Sequence, residues 1–153
     1  MIKRILVGID SSEASITALN YGIDLAETYQ GELIILSVIP NMPFIYSDDI
    51  FPEYIPRIQQ DLEDSYKRLL DREQERIKHE HPELNVTTIL EKGNPSEKII
   101  KTSKTEEVDL IVLGNRGTGG IVNWLLGGTS RSVADACTVP VLIVKDEEHC
   151  EII

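Results

Sequence analysis

Leu110-Ile-Val-Leu-Gly114-Asn-Arg-Gly117-Thr-Gly-Gly-Ile-Val-Asn-Trp-Leu-Leu-Gly127-Gly-Thr-Ser130 joins an apolar run to a glycine-rich connection, and a second apolar run, residues 139–144, follows. Both runs are continuous in hydrophobic character, not alternating. Strands read this way when helices cover both faces of a parallel sheet. No Asp or Glu occurs from residue 110 through residue 134, although the 153-residue chain carries 26 acids. The same window holds Arg116 and Arg131. Such a stretch suits a phosphate group: glycine lets backbone N–H groups approach closely, and no carboxylate repels the anion. The alternative is a connection that needs glycine only for tight backbone turns.

Working outward, apolar and amphipathic segments alternate along the whole chain. Residues 2–9 form a first strand, and residues 12–29 a helix with Ile16, Leu19, Ile23 and Ala26 at spacings of three and four. Residues 32–39 form the second strand. Residues 40–56 hold four of the seven prolines and read as a loop. Ile58, Leu62, Leu69, Leu70 and Ile77 mark a long charged helix ending near His79. A short third strand over 86–90, a helix over 96–104 and a fourth strand over 108–113 come next. After the glycine stretch, residues 130–137 read as a helix and 139–145 as the fifth strand. Repeated strand–helix–strand units imply a three-layer α/β/α architecture around a five-stranded parallel sheet, Rossmann-like in kind. Ligands of such sheets bind at the carboxyl ends of the strands, where the strand order reverses. If the first and fourth strands are neighbours there, Asp10 and the glycine stretch face one cleft.

Length predicts a single domain over residues 1–153 with a substantial core. The net charge of −11 argues against nucleic acid and anionic membrane as partners. The apolar start is too short for a signal peptide and is interrupted by Asp10; no run approaches a membrane span. Cys137 and Cys150 form no metal-binding or redox pattern, which fits reduced thiols and a cytoplasmic location.

Thr129 or Ser130 is expected to cap the helix that follows, which would gather the Gly127 and Gly128 amides at a positive helix end. Asp10, with Glu13 three residues on, reads either as a helix N-cap with a capping box or as a contact to a nucleotide or its Mg²⁺ ion. Val38, closing the second strand, lines an adenine pocket or merely the core. Phe44, Ile45, Tyr46, Phe51 and Tyr54 read as a lid or a partner surface. Trp124 with Ile121, Val122, Leu125 and Leu126 reads as local packing or an interface in preference to base stacking. His79, His81 and His149 match neither a triad nor a metal set and are expected to be solvated. The last strand, if an edge, would be hidden by pairing with its copy in a dimer. A Walker A loop is excluded because the stretch has no Lys, and a dinucleotide fingerprint because Gly8-Ile-Asp10-Ser-Ser12 follows the first strand.

At Ile5-Leu-Val-Gly-Ile-Asp10-Ser-Ser-Glu-Ala-Ser15, Leu36-Ser-Val38-Ile, Gly93-Asn-Pro-Ser-Glu-Lys-Ile99, Ile111-Val-Leu-Gly114 and Val139-Pro-Val-Leu-Ile-Val144, the chain resembles the universal stress protein (UspA) family. The resemblance is to its ATP-binding branch. Gly114, Gly117 and Gly127 fit the branch's spacing of Gly, two residues, Gly, nine residues, Gly; Gly128 stands where that motif has Ser or Thr. The resemblance implies strand order 3-2-1-4-5, the adenine nucleotide alpha hydrolase-like arrangement, and a homodimer through the last strand, residues 139–145. It implies ATP with Mg²⁺ (or Mn²⁺), adenine against Ile9, Asp10, Val38 and Leu113, and ribose near Gly114. The phosphates would lie on Gly117, Gly127, Gly128, Thr129 and Ser130, with Arg116 adding charge. Asp10 is the candidate metal ligand, alongside the ATP phosphates; no catalytic residue is assigned. The leading expectation is a nucleotide-controlled stress or signalling dimer. A slow ATPase or self-phosphorylating enzyme is the second, and a structural dimer that binds no nucleotide the third.

Overall fold

The computed structural model describes residues 1–41, 52–115, 128–136 and 139–145. Strands β1 (Arg4–Gly8), β2 (Glu32–Ile39), β3 (Asn85–Lys92), β4 (Leu110–Gly114) and β5 (Val141–Val144) form one sheet in the order β3-β2-β1-β4-β5. Every neighbouring pair is parallel. Helices α1 (Glu13–Thr28), α2 (Ile55–Glu80), α3 (Pro95–Thr105) and α4 (Gly128–Ala136) lie among them, and a 3-10 turn, Pro52–Tyr54, leads into α2.

Period-two alternation divides the strand side chains between two buried layers. Ile5, Val7, Leu33, Ile35, Leu110 and Val112 face α1 and α2, where they meet Leu19, Ile23, Leu69 and Ile77. Leu6, Ile34, Leu36, Ile111 and Leu113 face the other way, against Ile99 of α3 and Val133 of α4. Ile5, Leu6 and Val7 are wholly buried; each contributes roughly 1.5–3 kcal/mol through burial. That double coverage is why the central strands carry no polar alternation. The expected three-layer architecture and strand order are both present.

Element ends differ from expectation for identifiable reasons. The long helix begins at Ile55, inside the stretch read as a loop. Pro56 sits in its first turn, where a missing N–H costs nothing because that amide has no intrahelical acceptor. Helix α4 starts at Gly128, two residues before the expected position, so Thr129 and Ser130 lie in its first turn and not at its cap. Helix α1 is capped by Ser12, whose hydroxyl accepts from the N–H of Ser15, and not by Asp10. The histidines also part company: His79 is exposed, whereas Nδ1 of His81 lies 2.6 Å from Oε1 of Glu27, joining the end of α2 to α1.

The order of the strands sets the position of the site. From β1 the chain moves outward through β2 to β3, then returns to lie beside β1 as β4 and continues outward to β5. The reversal therefore falls between β1 and β4, paired as Ile5 with Leu110, Leu6 with Ile111 and Val7 with Val112.

Candidate functional site

Beyond β1 the chain is held by a dense set of local hydrogen bonds. The N–H of Ile9 donates to the carbonyl of Leu36 (2.9 Å), and the buried hydroxyl of Ser37 donates to the carbonyl of Ile9 (2.8 Å). The carboxylate of Asp10 accepts from the backbone N–H of Ser12 (2.8 Å) and from the Ser12 hydroxyl. The Ser15 hydroxyl accepts from the N–H of Asp10 (3.1 Å) and donates to its carbonyl (2.8 Å). Asp and Ser side chains closing on nearby backbone make a tight, preformed turn. Asp10 is thereby fixed, half-buried, at the carboxyl end of β1.

The other wall is the end of β4. Gly114 closes that strand, and a Cβ there would stand 2.8 Å from the carbonyl carbon of Ala14. Glycine lets the first turn of α1 descend onto β4, which draws Asp10 and Gly114 toward one rim. Asn115, nearly inaccessible at 2 %, donates its N–H to the carbonyl of Val144 (2.9 Å). Its own carbonyl receives the hydroxyl of Ser130 (3.4 Å). Within the first turn of α4, Gly128 is exposed, Thr129 half-buried and Ser130 buried at 3 %. The Ser130 side chain therefore fastens α4 to the end of β4, while Gly128 and Thr129 stand at the surface of the same rim.

Of the residues expected at the site, Asp10, Gly114, Gly128, Thr129 and Ser130 come to the carboxyl side of the sheet. Ile9, Val38 and Leu113 are there too, all buried. They divide between layers: Ile9 packs with the α1 and α2 side, whereas Val38 and Leu113 pack with α3 and α4. Arg116, Gly117 and Gly127 lie outside the described residues, as do Trp124, Phe44, Ile45, Tyr46, Phe51, Cys137, Cys150 and His149. Tyr54 is described and is 53 % exposed.

Two neighbours of the site escaped the sequence reading. Asn115 reads as part of the glycine stretch, and only the fold shows it buried as a strut between β4, β5 and α4. Tyr66 on α2 is close enough to Asp10 for the carboxylate's charge to act on its phenol. Burial first, and that charge second, hold the phenol above its ordinary pKa of 10.0. The available signal was spacing, since Tyr66 falls four residues after Leu62 and four before Leu70, on one helix face.

Among the described residues no cluster of three or more His, Cys, Asp or Glu side chains is placed to hold a metal ion. No helix among them is long and apolar enough to cross a membrane. A Mg²⁺ ion carried by a polyphosphate asks for only one or two protein carboxylates, and the fixed Asp10 fits that lesser demand.

The sequence model of the universal stress protein family matches residues 1–145. The chain belongs to the universal stress protein family. Universal stress protein YxiE of Bacillus subtilis is 31 % identical over 150 residues, covering 95 % of this chain and 100 % of the relative. The solved structure of universal stress protein UspA from Lactobacillus plantarum is 27 % identical, covers 94 % of this chain and 97 % of that one, and superposes with a TM-score of 0.78. A universal stress protein from Arabidopsis thaliana with AMP bound shares the fold at a TM-score of 0.69 and 16 % identity, covering 97 % of this chain and 95 % of that one.

Proposed function

We propose that this universal stress protein is an adenine-nucleotide-controlled stress or signalling module. It would be one domain over residues 1–153, acting in the cytoplasm as a homodimer paired through β5, with ATP and Mg²⁺ as its ligands. The observation that carries the reading is that a fixed carboxylate, Asp10, follows β1 while the first turn of α4 is fastened to the end of the neighbouring strand β4, at the β1/β4 reversal. The opening N–H groups of a helix have no intrahelical acceptor, and its dipole favours an anion there. The Gly128 and Thr129 amides would thus hold phosphate, with Gly117, Gly127 and Arg116 completing the cradle. Asp10 would meet the nucleoside or the metal ion. Ser130 would contribute its amide, since its hydroxyl bonds Asn115. Supporting this, the Arabidopsis protein of the same fold holds AMP.

The half-exposed Val141, Leu142 and Ile143 support the dimer: β5 is the sheet's outer strand, and pairing would cover it. Titration calorimetry with Mg-ATP tests the reading. Saturable binding at one site per chain, weakened at least tenfold in Asp10→Ala, is the expected result. Absence of heat, together with absence of nucleotide in freshly purified protein by mass spectrometry, overturns it.

A further inference from the structure

Helix α2 is longer than the sheet it covers. Its 26 residues span about 39 Å, against about 26 Å for the eight residues of β2. Its buried positions, Leu69, Leu70, Glu73 and Ile77, all lie in the second half. On the same face of the first half, Ile58, Leu62 and Tyr66 are only partly covered. Because α2 enters from the carboxyl edge, this first half stands above the strand ends, on the side where Asp10 lies.

One ion pair and one shared cluster bear on its placement. Nζ of Lys92, the last residue of β3, lies 2.8 Å from Oε1 of Glu63, one turn before Tyr66. Ile9 belongs to the same buried cluster as Leu69 and Leu70, and the residue after Ile9 and the residue one turn before Leu70 adjoin that cluster along the chain. Those residues are Asp10 and Tyr66.

We propose that Tyr66 is a specificity-determining residue of this cleft, its ring forming the α2 wall on which the base of a bound adenine nucleotide stacks beside Asp10. The inference rests on the nucleotide-binding reading above and adds the side from which the base is held. The raised phenol agrees with it: the ring stays neutral across the physiological range, presenting an aromatic face and not a second anion next to Asp10. Stacking also explains why a large, partly covered aromatic is compatible with this position, since nucleobases offer a flat apolar partner.

Calorimetric titration of Mg-ATP into the wild-type chain, Tyr66→Phe and Tyr66→Leu tests it, with the melting temperature of each protein measured without ligand. Tyr66→Phe keeps the ring and should bind within about threefold of wild type. Tyr66→Leu fills the helix face without a ring and should weaken binding about tenfold, the usual scale of one base–aromatic stack. Melting temperatures of the two variants should agree, so that only the ring separates them. Equal affinity in all three proteins overturns the Tyr66 role and leaves the nucleotide reading standing. So does equal weakening in both variants, which would assign the effect to the hydroxyl. Failure of the wild-type chain to bind ATP overturns both proposals together.

Discussion

Gly114 and Ala14 touch backbone to backbone: the missing Cβ of Gly114 would lie 2.8 Å from the carbonyl carbon of Ala14 and 2.9 Å from its oxygen. Helix α1 therefore rests on the end of β4 with no side chain between them. A main-chain neighbour cannot rotate away as a side chain can, so the sequence tolerates only glycine there without movement of α1. Gly114→Ala should destabilise the protein by roughly 1–3 kcal/mol, the usual cost of overpacking a close contact. Urea unfolding of the two proteins measures it; a loss below about 0.5 kcal/mol would show that α1 is not seated as described.

Gly128 presents the opposite case. A Cβ at this position meets nothing within 4 Å, and the residue opens α4. Gly128→Ser should fold with unchanged or slightly higher stability, because a side chain here restricts the unfolded chain without a clash. If the phosphates lie on this turn, the added hydroxyl should also tighten Mg-ATP binding several-fold. Thermal melting and calorimetry on one preparation read both effects, and weaker binding would place the phosphates elsewhere.

Asp109 supplies a pH dependence whose sign is fixed by geometry. Its Oδ2 accepts from the N–H groups of Lys3 (2.7 Å) and Arg4 (2.9 Å), pinning the start of β1 to the start of β4. These backbone hydrogen bonds hold its carboxyl below the ordinary value of 3.8, outweighing the opposing effect of burial. A carboxyl lowered in the folded state adds stability that is fully present above its unfolded value. That stability is lost as pH falls through the folded value. The stability advantage of wild type over Asp109→Asn should hold steady from about pH 7 to pH 5 and shrink below about pH 4. Urea unfolding at a series of pH values follows it; a constant advantage down to about pH 2.5 would contradict the two hydrogen bonds.

The fold was legible because burial on both sheet faces writes itself into single segments. Ile5-Leu-Val7, Leu33-Ile-Ile-Leu36 and Leu110-Ile-Val-Leu113 have no polar interruptions, and the amphipathic stretches between them leave a parallel sheet as the consistent arrangement. Boundaries were less legible where a local rule has two outcomes. Proline is a breaker inside a helix but acceptable in its first turn, so Pro56 marked a loop in sequence and a helix start in space. Asp10-Ser-Ser-Glu13 contains three residues able to cap α1. Only the backbone conformation at Ser12 decided which one does.

The sequence by itself determined the layering, the strand order through the family resemblance, and the glycine and acid pattern that points to an anion. Each of these is carried by periodicity or composition, properties of neighbouring residues. Tertiary structure alone decided what the side chains at the rim do. It turned the Ser130 hydroxyl inward to the carbonyl of Asn115, and brought Tyr66 within range of the Asp10 charge although 55 intervening residues separate them in the chain. The physical reason is that hydrogen bonds and charge act over a few ångströms in space, and only the packing of α2 and α4 on the sheet brings these groups within that range.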